Sequence, residues 1–297
     1  MALLHHGTSP ASPNDSNRTL AQPPLLTIWH IWHTRIAATA RGRSAMTVKL
    51  KFILPVPLSS DAAQRFAAQI PETVRKPGLT IDFVGCRAGG PLMDSDHDAT
   101  LAAAFVLAAG ARAEEEGYAA VCSFSMSDSG LAALRSRLTI PVVGAAQASF
   151  ALAQQLGRKF SVVTMWAPWA RRLEENVARY GLNGRLASIR HIDMSPDTQA
   201  LLSGKEEVVF GRLREQALAA IERDGADVVI LGSTTMYQVH ARLAAALPCP
   251  VVNPGLAAYK ACETMLDLGL SHSKIGYPAP ATFADDIFDQ ITPVAGA

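Results

Sequence analysis

Cysteine is scarce. Cys86, Cys122, Cys249 and Cys262 are the only four in 297 residues, and none stands at C-x-x-C or other metal-like spacing. That argues against a disulfide scaffold and gives no zinc pattern. With no clear secretion signal either, the four read as reduced thiols of a cytosolic, cytoplasmic protein. An excess of charge of one sign is also missing: 27 Lys and Arg meet 26 Asp and Glu, for a net charge of +1. Such a balance gives no reason to expect nucleic acid, an acidic partner or a membrane surface. No apolar run reaches the roughly 20 residues that span a bilayer. What the chain has is apolar material, 49% of its residues, enough for a soluble globular protein with a large core.

The first 45 residues differ from the rest. They are rich in Ser, Thr, Pro and Ala, hold four arginines and one acid, Asp15, and keep no period of 2 or 3.6. Residues 1–45 therefore read as a disordered or dispensable extension, with a targeting peptide as the alternative. The folded unit is expected over 46–297. The cluster Trp29-His30-Ile31-Trp32-His33 reads as an apolar patch sooner than as a metal site.

Beyond Met46, strand-like runs alternate with Ala-rich helical stretches. Strands are expected at 48–55, 79–86, 118–124, 141–143, 159–164, 188–192, 226–231 and 251–252. Helices are expected at 60–69, 100–116, 130–138, through 155, 168–180, 206–223, 238–247 and 255–268. This alternation predicts an α/β fold with parallel sheets, helices on both faces, and ligands beyond the C-terminal strand ends. The chain also echoes itself. Gly117-Tyr-Ala-Ala-Val-Cys-Ser-Phe-Ser125 parallels Gly225-Ala-Asp-Val-Val-Ile-Leu-Gly-Ser233, and each serine is followed by a helix and a Pro-Val-Val strand starting at Pro141 or Pro250. Two pseudo-symmetric, Rossmann-like lobes would each offer one hydroxyl at a strand end to a shared site.

The segments GGPLMDSDHDAT (89–100), SDSGLAALRSRLTIPVVG (127–144), KFSVVTMWAPWARRLEENVARYGL (159–182), DGADVVILGSTTM (224–236) and PVVNPGLAAYKACETMLDLGLSHSKIGY (250–277) carry a resemblance. In order and spacing they resemble the aspartate/glutamate/hydantoin racemase superfamily, nearest its hydantoin racemase branch. The resemblance implies two α/β lobes with the active site between them. The expected division is 46–145 plus a C-terminal segment from about 255, against about 146–254. It also implies a homo-oligomer, no metal and no organic cofactor, and a small substrate bearing a carboxylate or cyclic imide. In the family that the chain resembles, two cysteines, one per lobe, move a proton on opposite faces of the carbon beside a carbonyl. Counted from Asp128-Ser-Gly-Leu and from Gly225, those positions are Ser125 and Ser233 here. Cys122 lies inside its apolar run and does not replace the first thiol.

A serine hydroxyl is a far weaker acid than a thiol and needs a neighbouring base to become one. No histidine sits in either motif; His97 is the best candidate base and His240 a weaker one. Three readings stay open: a racemase-like isomerase, a Ser-dependent hydrolase or decarboxylase on the same scaffold, and a non-catalytic binder. The S-x-x-D of Ser125 to Asp128 also fits a helix capping box. Ser233, Thr234 and Thr235 exceed what one cap requires and fit a carboxylate or oxyanion. The resemblance further places Pro55, Val56, Met93, Asp94, Ser95, Met126, Thr164 and Trp166 as substrate contacts. Val56 lacks the polar side chain expected there. Cys249 and Cys262 read as core, and Cys86, ending a strand, is the one thiol for which a pocket-facing position stays open, burial being the favoured reading.

Overall fold

The computed structural model describes residues 47–195 and 206–293. The expectations for residues 1–45, including the Trp-His cluster, lie outside the described residues. Among those described there are two four-stranded, all-parallel sheets with the same order. The first holds β1 (Val48–Pro57), β2 (Leu79–Cys86), β3 (Tyr118–Ser123) and β4 (Val142–Gly144), ordered β2-β1-β3-β4. The second holds β5 (Phe160–Thr164), β6 (Leu186–His191), β7 (Val228–Leu231) and β8 (Val251–Val252), ordered β6-β5-β7-β8. The Rossmann-like, pseudo-symmetric architecture expected from the sequence is therefore present, with β1 matched by β5 and β3 by β7.

The strands read as continuous apolar runs because helices cover both faces. Leu50, Phe52, Ile53 and Leu54 of β1 are buried, as are all four residues of β7. The helices are α1 (Ser60–Gln64), α2 (Asp96–Gly110), α3 (Leu131–Arg137), α4 (Ala145–Leu156), α5 (Ala167–Arg179), α6 (Glu206–Glu222), α7 (His240–Ala246) and α8 (Pro254–Asp267). Helix α4 packs on β7 and β8 of the second sheet as well as on β4, while α8 returns to β3 and β4 of the first. The two helices also pack on each other, so each sheet is partly covered by chain that follows the other.

Several boundaries differ from the sequence reading. Helix α2 starts four residues early, because Ser95 caps it by accepting from the Asp98 amide at 3.2 Å. It also ends early, at Gly110, where a Cβ would lie 2.5 Å from Leu134 Cδ2. The helix expected over 60–69 turns 3₁₀ from Arg65, and the one expected from 238 opens as a 3₁₀ segment, Thr234–Val239, before α7.

In each sheet the chain leaves the first strand toward one edge and returns on its other side. The switch points lie between β1 and β3 and between β5 and β7, where open parallel sheets bind ligands.

Candidate functional site

Beyond β3 and β7 the chain makes the same local structure twice. The Ser125 side chain accepts from the Ser127 amide at 3.2 Å and shares a 3.0 Å hydrogen bond with the Ser127 hydroxyl. The Ser233 side chain accepts from the Thr235 amide at 3.2 Å and meets the Thr235 hydroxyl at 2.8 Å. Each is a short hydroxyl turn, the structural form of the internal echo. The first extends further, since Ser127 also meets the Ser129 hydroxyl at 2.8 Å. The S-x-x-D spacing at Ser125 does not close a capping box, because Asp128 is turned away from it.

Packing holds both turns. Phe124, next to Ser125, is fully buried with Phe52 and Phe83 at ring separations of 5.0 to 5.4 Å. Gly232, next to Ser233, lies so close to the end of β5 that a Cβ would meet Thr164 Cβ at 2.5 Å. Asp128 sits at φ 48°, and its buried carboxylate accepts from the Ala146 and Gln147 amides at the start of α4, both at 2.9 Å, and from the Tyr180 hydroxyl at 2.6 Å. Burial pushes the Asp128 carboxyl up to about 6, against the lowering effect of Tyr180, the two amides and Arg135. Asn176 of α5 donates to Met126 O at 2.9 Å. The first hydroxyl turn is thus fastened to α4 and α5.

A cavity of about 140 Å³ opens over these turns, many times the roughly 10–15 Å³ that one water requires. Ser125, Met126, Ser233, Thr234, Thr235, Pro55, Val56 and Met93 line it, as the sequence reading expects. Ser95, Asp94, Thr164 and Trp166 do not. Ser95 is spent on capping α2. Thr164 is fully buried behind Gly232, with its hydroxyl unpartnered. Trp166 packs against the core of the second sheet. The sequence reading missed Phe66, Phe124, Ser127, Trp169 and Arg172. Trp169, Arg172 and Leu173 share one face of α5, a three- and four-residue spacing legible in the sequence once the helix is assigned.

The loop before α2 roofs the cavity through Pro91, Leu92 and Met93. It is held from α5: Trp169 Nε1 donates to Leu92 O at 2.9 Å, and Arg171 and Arg172 both bond Asp96, at 3.2 and 3.0 Å. These arginines keep the Asp96 carboxyl below the usual range.

Among the described lining residues Arg172 is the only ionisable side chain. His97 is exposed beside Asp98, and His240 Nε2 lies 3.1 Å from Val251 O; neither reaches the cavity. Cys86 is buried in the core of the first sheet, where burial pushes its thiol up to about 12, and it lines nothing. Cys122 and Cys262 are fully buried, and Cys249 packs against the core of the second sheet. The cavity therefore offers hydroxyls, backbone groups, apolar walls and the ion-paired Arg172 guanidinium.

Two parallel sheets of equal order, with a small cavity on matched hydroxyl turns at their switch points, define an α/β protein with a candidate small-molecule site at its strand ends. The family model described as Asp/Glu/Hydantoin racemase matches residues 58–262. The chain belongs to this family, and its function is of the racemase type. It is 32% identical over 197 residues to a hydantoin racemase of Pseudomonas sp. (strain NS671), covering 65% of this chain and 76% of that one. It is 27% identical over 230 residues to the hydantoin racemase of Paenarthrobacter aurescens, covering 76% and 94%. Among solved structures, the allantoin racemase from Klebsiella pneumoniae superposes with a TM-score of 0.73 at 28% identity, covering 80% of this chain and 96% of that one.

Proposed function

We propose that the protein is a cofactor-independent, racemase-like enzyme. It moves a proton at the carbon beside a carbonyl in a small carboxylate or cyclic imide, a hydantoin or amino-acid derivative. Ser125 and Ser233 are the proposed acid/base groups, one from each sheet. The observation that carries this reading is the pair of matched hydroxyl turns on one cavity, Ser125 with Ser127 and Ser233 with Thr235. The neighbouring hydroxyls and Thr234 are suited to hold the oxyanion that forms when the proton leaves. Pro55, Val56 and Met126 supply substrate contact from the apolar side.

A second reading is favoured by one observation: no carboxylate, imidazole or thiol lines the cavity among the described residues. Loss of CO₂ from a malonate-type substrate makes the same carbanion without a base, and then needs only anion stabilisation and a proton donor. The hydrolase reading has less support, because neither Ser125 nor Ser233 has a basic hydrogen-bond partner.

The two lobes are proposed as 46–145 with the segment from about 255, and 146–254; the packing of α8 on β3 and β4 supports this division. Homo-oligomeric assembly and a cytoplasmic location belong to the proposal, the latter supported by four free cysteines. No helix among the described residues is long and apolar enough to cross a membrane.

The test is proton exchange in D₂O, followed by NMR on 5-substituted hydantoins, amino acids and substituted malonates. Exchange that Ser125→Ala and Ser233→Ala abolish supports the proposal. CO₂ loss without exchange moves the protein to the second reading. Tight binding with neither reaction makes it a binder.

A further inference from the structure

Resting on that reading, we infer that the substrate carries an apolar substituent of about one ring's size on its reacting carbon, and not a ureido or other polar group. The cavity divides its chemistry by element. Its hydroxyls come from the ends of β3 and β7. Its remaining walls come from the end of β1, the 3₁₀ segment after α1, the loop before α2 and the first turns of α5, and they present Leu54, Val56, Leu58, Phe66, Leu92 and Trp169.

Of the two polar side chains on those walls, one is fully committed and the other is held in ion pairs that use two of its five N–H donors. Trp169 spends its only N–H on Leu92 O, so its ring meets a ligand as apolar surface. Arg172 gives one terminal nitrogen to Glu175 at 2.6 Å and the other to Asp96 at 3.0 Å. Arg171 bonds the same two carboxylates, so two guanidinium groups face two carboxylates and the cluster is neutral.

A ureido group on this side would give up its water for walls that return few hydrogen bonds, which is costly. A phenyl or branched alkyl group loses nothing there and gains from burial. A polar head, either a carboxylate or the imide edge of a ring, then falls on the hydroxyl turns. The cavity's size limits the ligand to one small head and one such substituent.

The experiment is isothermal titration of the full chain with matched ligands. 5-Benzylhydantoin is compared with allantoin, whose substituent is ureido, and phenylalanine with citrulline. The inference expects the apolar member of a binding pair to bind at least about 10-fold tighter, a ratio set by burial of one ring. It also expects Phe66→Ser, a change at a partly buried position, to narrow that ratio severalfold. Equal affinities, or preference for the ureido member, overturn the inference and leave the proposed function standing. Absence of binding by all four, from a chain whose melting transition shows it folded, overturns the proposed function and the inference with it.

Discussion

Asp128 shows how one side chain serves the site without touching the cavity. Its carboxylate is buried, and burial outweighs the hydrogen bonds that favour its charge. A carboxyl raised in the folded state to about 6 from 3.8 penalises the native fold above pH 6. That penalty is relieved as pH falls from about 6 toward 3.8, by up to ~3 kcal/mol. Other carboxylates work in the opposite sense: Asp96, Asp224, Asp227 and Asp289 are lowered, and their stabilisation is lost only below about pH 4. Thermal unfolding of wild type against Asp128→Asn between pH 4 and 7 should therefore diverge. Wild type gains relative stability toward pH 4, and a constant difference across the window counts against the assignment. Thr164 gives a second test at this scale. Its hydroxyl is buried without a partner, so Thr164→Val should be neutral or stabilising by ~1 kcal/mol and leave ligand affinity within about twofold. The sequence placed Thr164 correctly at a strand end, yet which way the side chain turns depends on Gly232 pressing from β7. Ser125 and Ser233 were legible because a repeat of glycine, apolar run and serine marks the strand end twice. Ser127 sat in the same motif and became visible only as a hydrogen-bonded neighbour.

Among the elements, the strands were the most legible, since a buried parallel strand is a short apolar run between breakers, and 79–86 and 251–252 match to the residue. Helix starts were less legible where a side-chain cap decided them, as at Ser95. Least legible were the walls supplied by α5 and the 3₁₀ segment after α1. Phe66 enters from the 3₁₀ segment after α1, and Trp169 and Arg172 reach the cavity where the second sheet's helix leans on the first sheet's loop. That contact has a measurable consequence. Trp169→Phe keeps the ring and removes the hydrogen bond to Leu92 O, worth about 0.5–1.5 kcal/mol. Amide exchange over 89–95 should speed by roughly 2- to 12-fold, the same range expressed as a ratio, while exchange in β5 and β7 is unchanged. Uniform acceleration across both sheets would show that Trp169 supports the fold at large and does not fasten the loop.

At the scale of the whole molecule, the two sheets present the same device from two directions, a hydroxyl turn at a switch point. The family relation supplies the racemase type, and among the described residues the cavity sets its hydroxyl turns beside no carboxylate, imidazole or thiol. A serine pair should therefore move protons slowly, because its hydroxyls are poorly acidic, whereas thiols titrate near neutral pH. The most direct measurement is α-proton exchange of a bound 5-substituted hydantoin in D₂O, comparing wild type with Ser125→Cys/Ser233→Cys. The account predicts that the double variant exchanges at least ~100-fold faster, with a rate that climbs through the range where thiols ionise. A folded double variant that binds the ligand and exchanges no faster than wild type would contradict it, and would mean that Ser125 and Ser233 are not where the proton is moved.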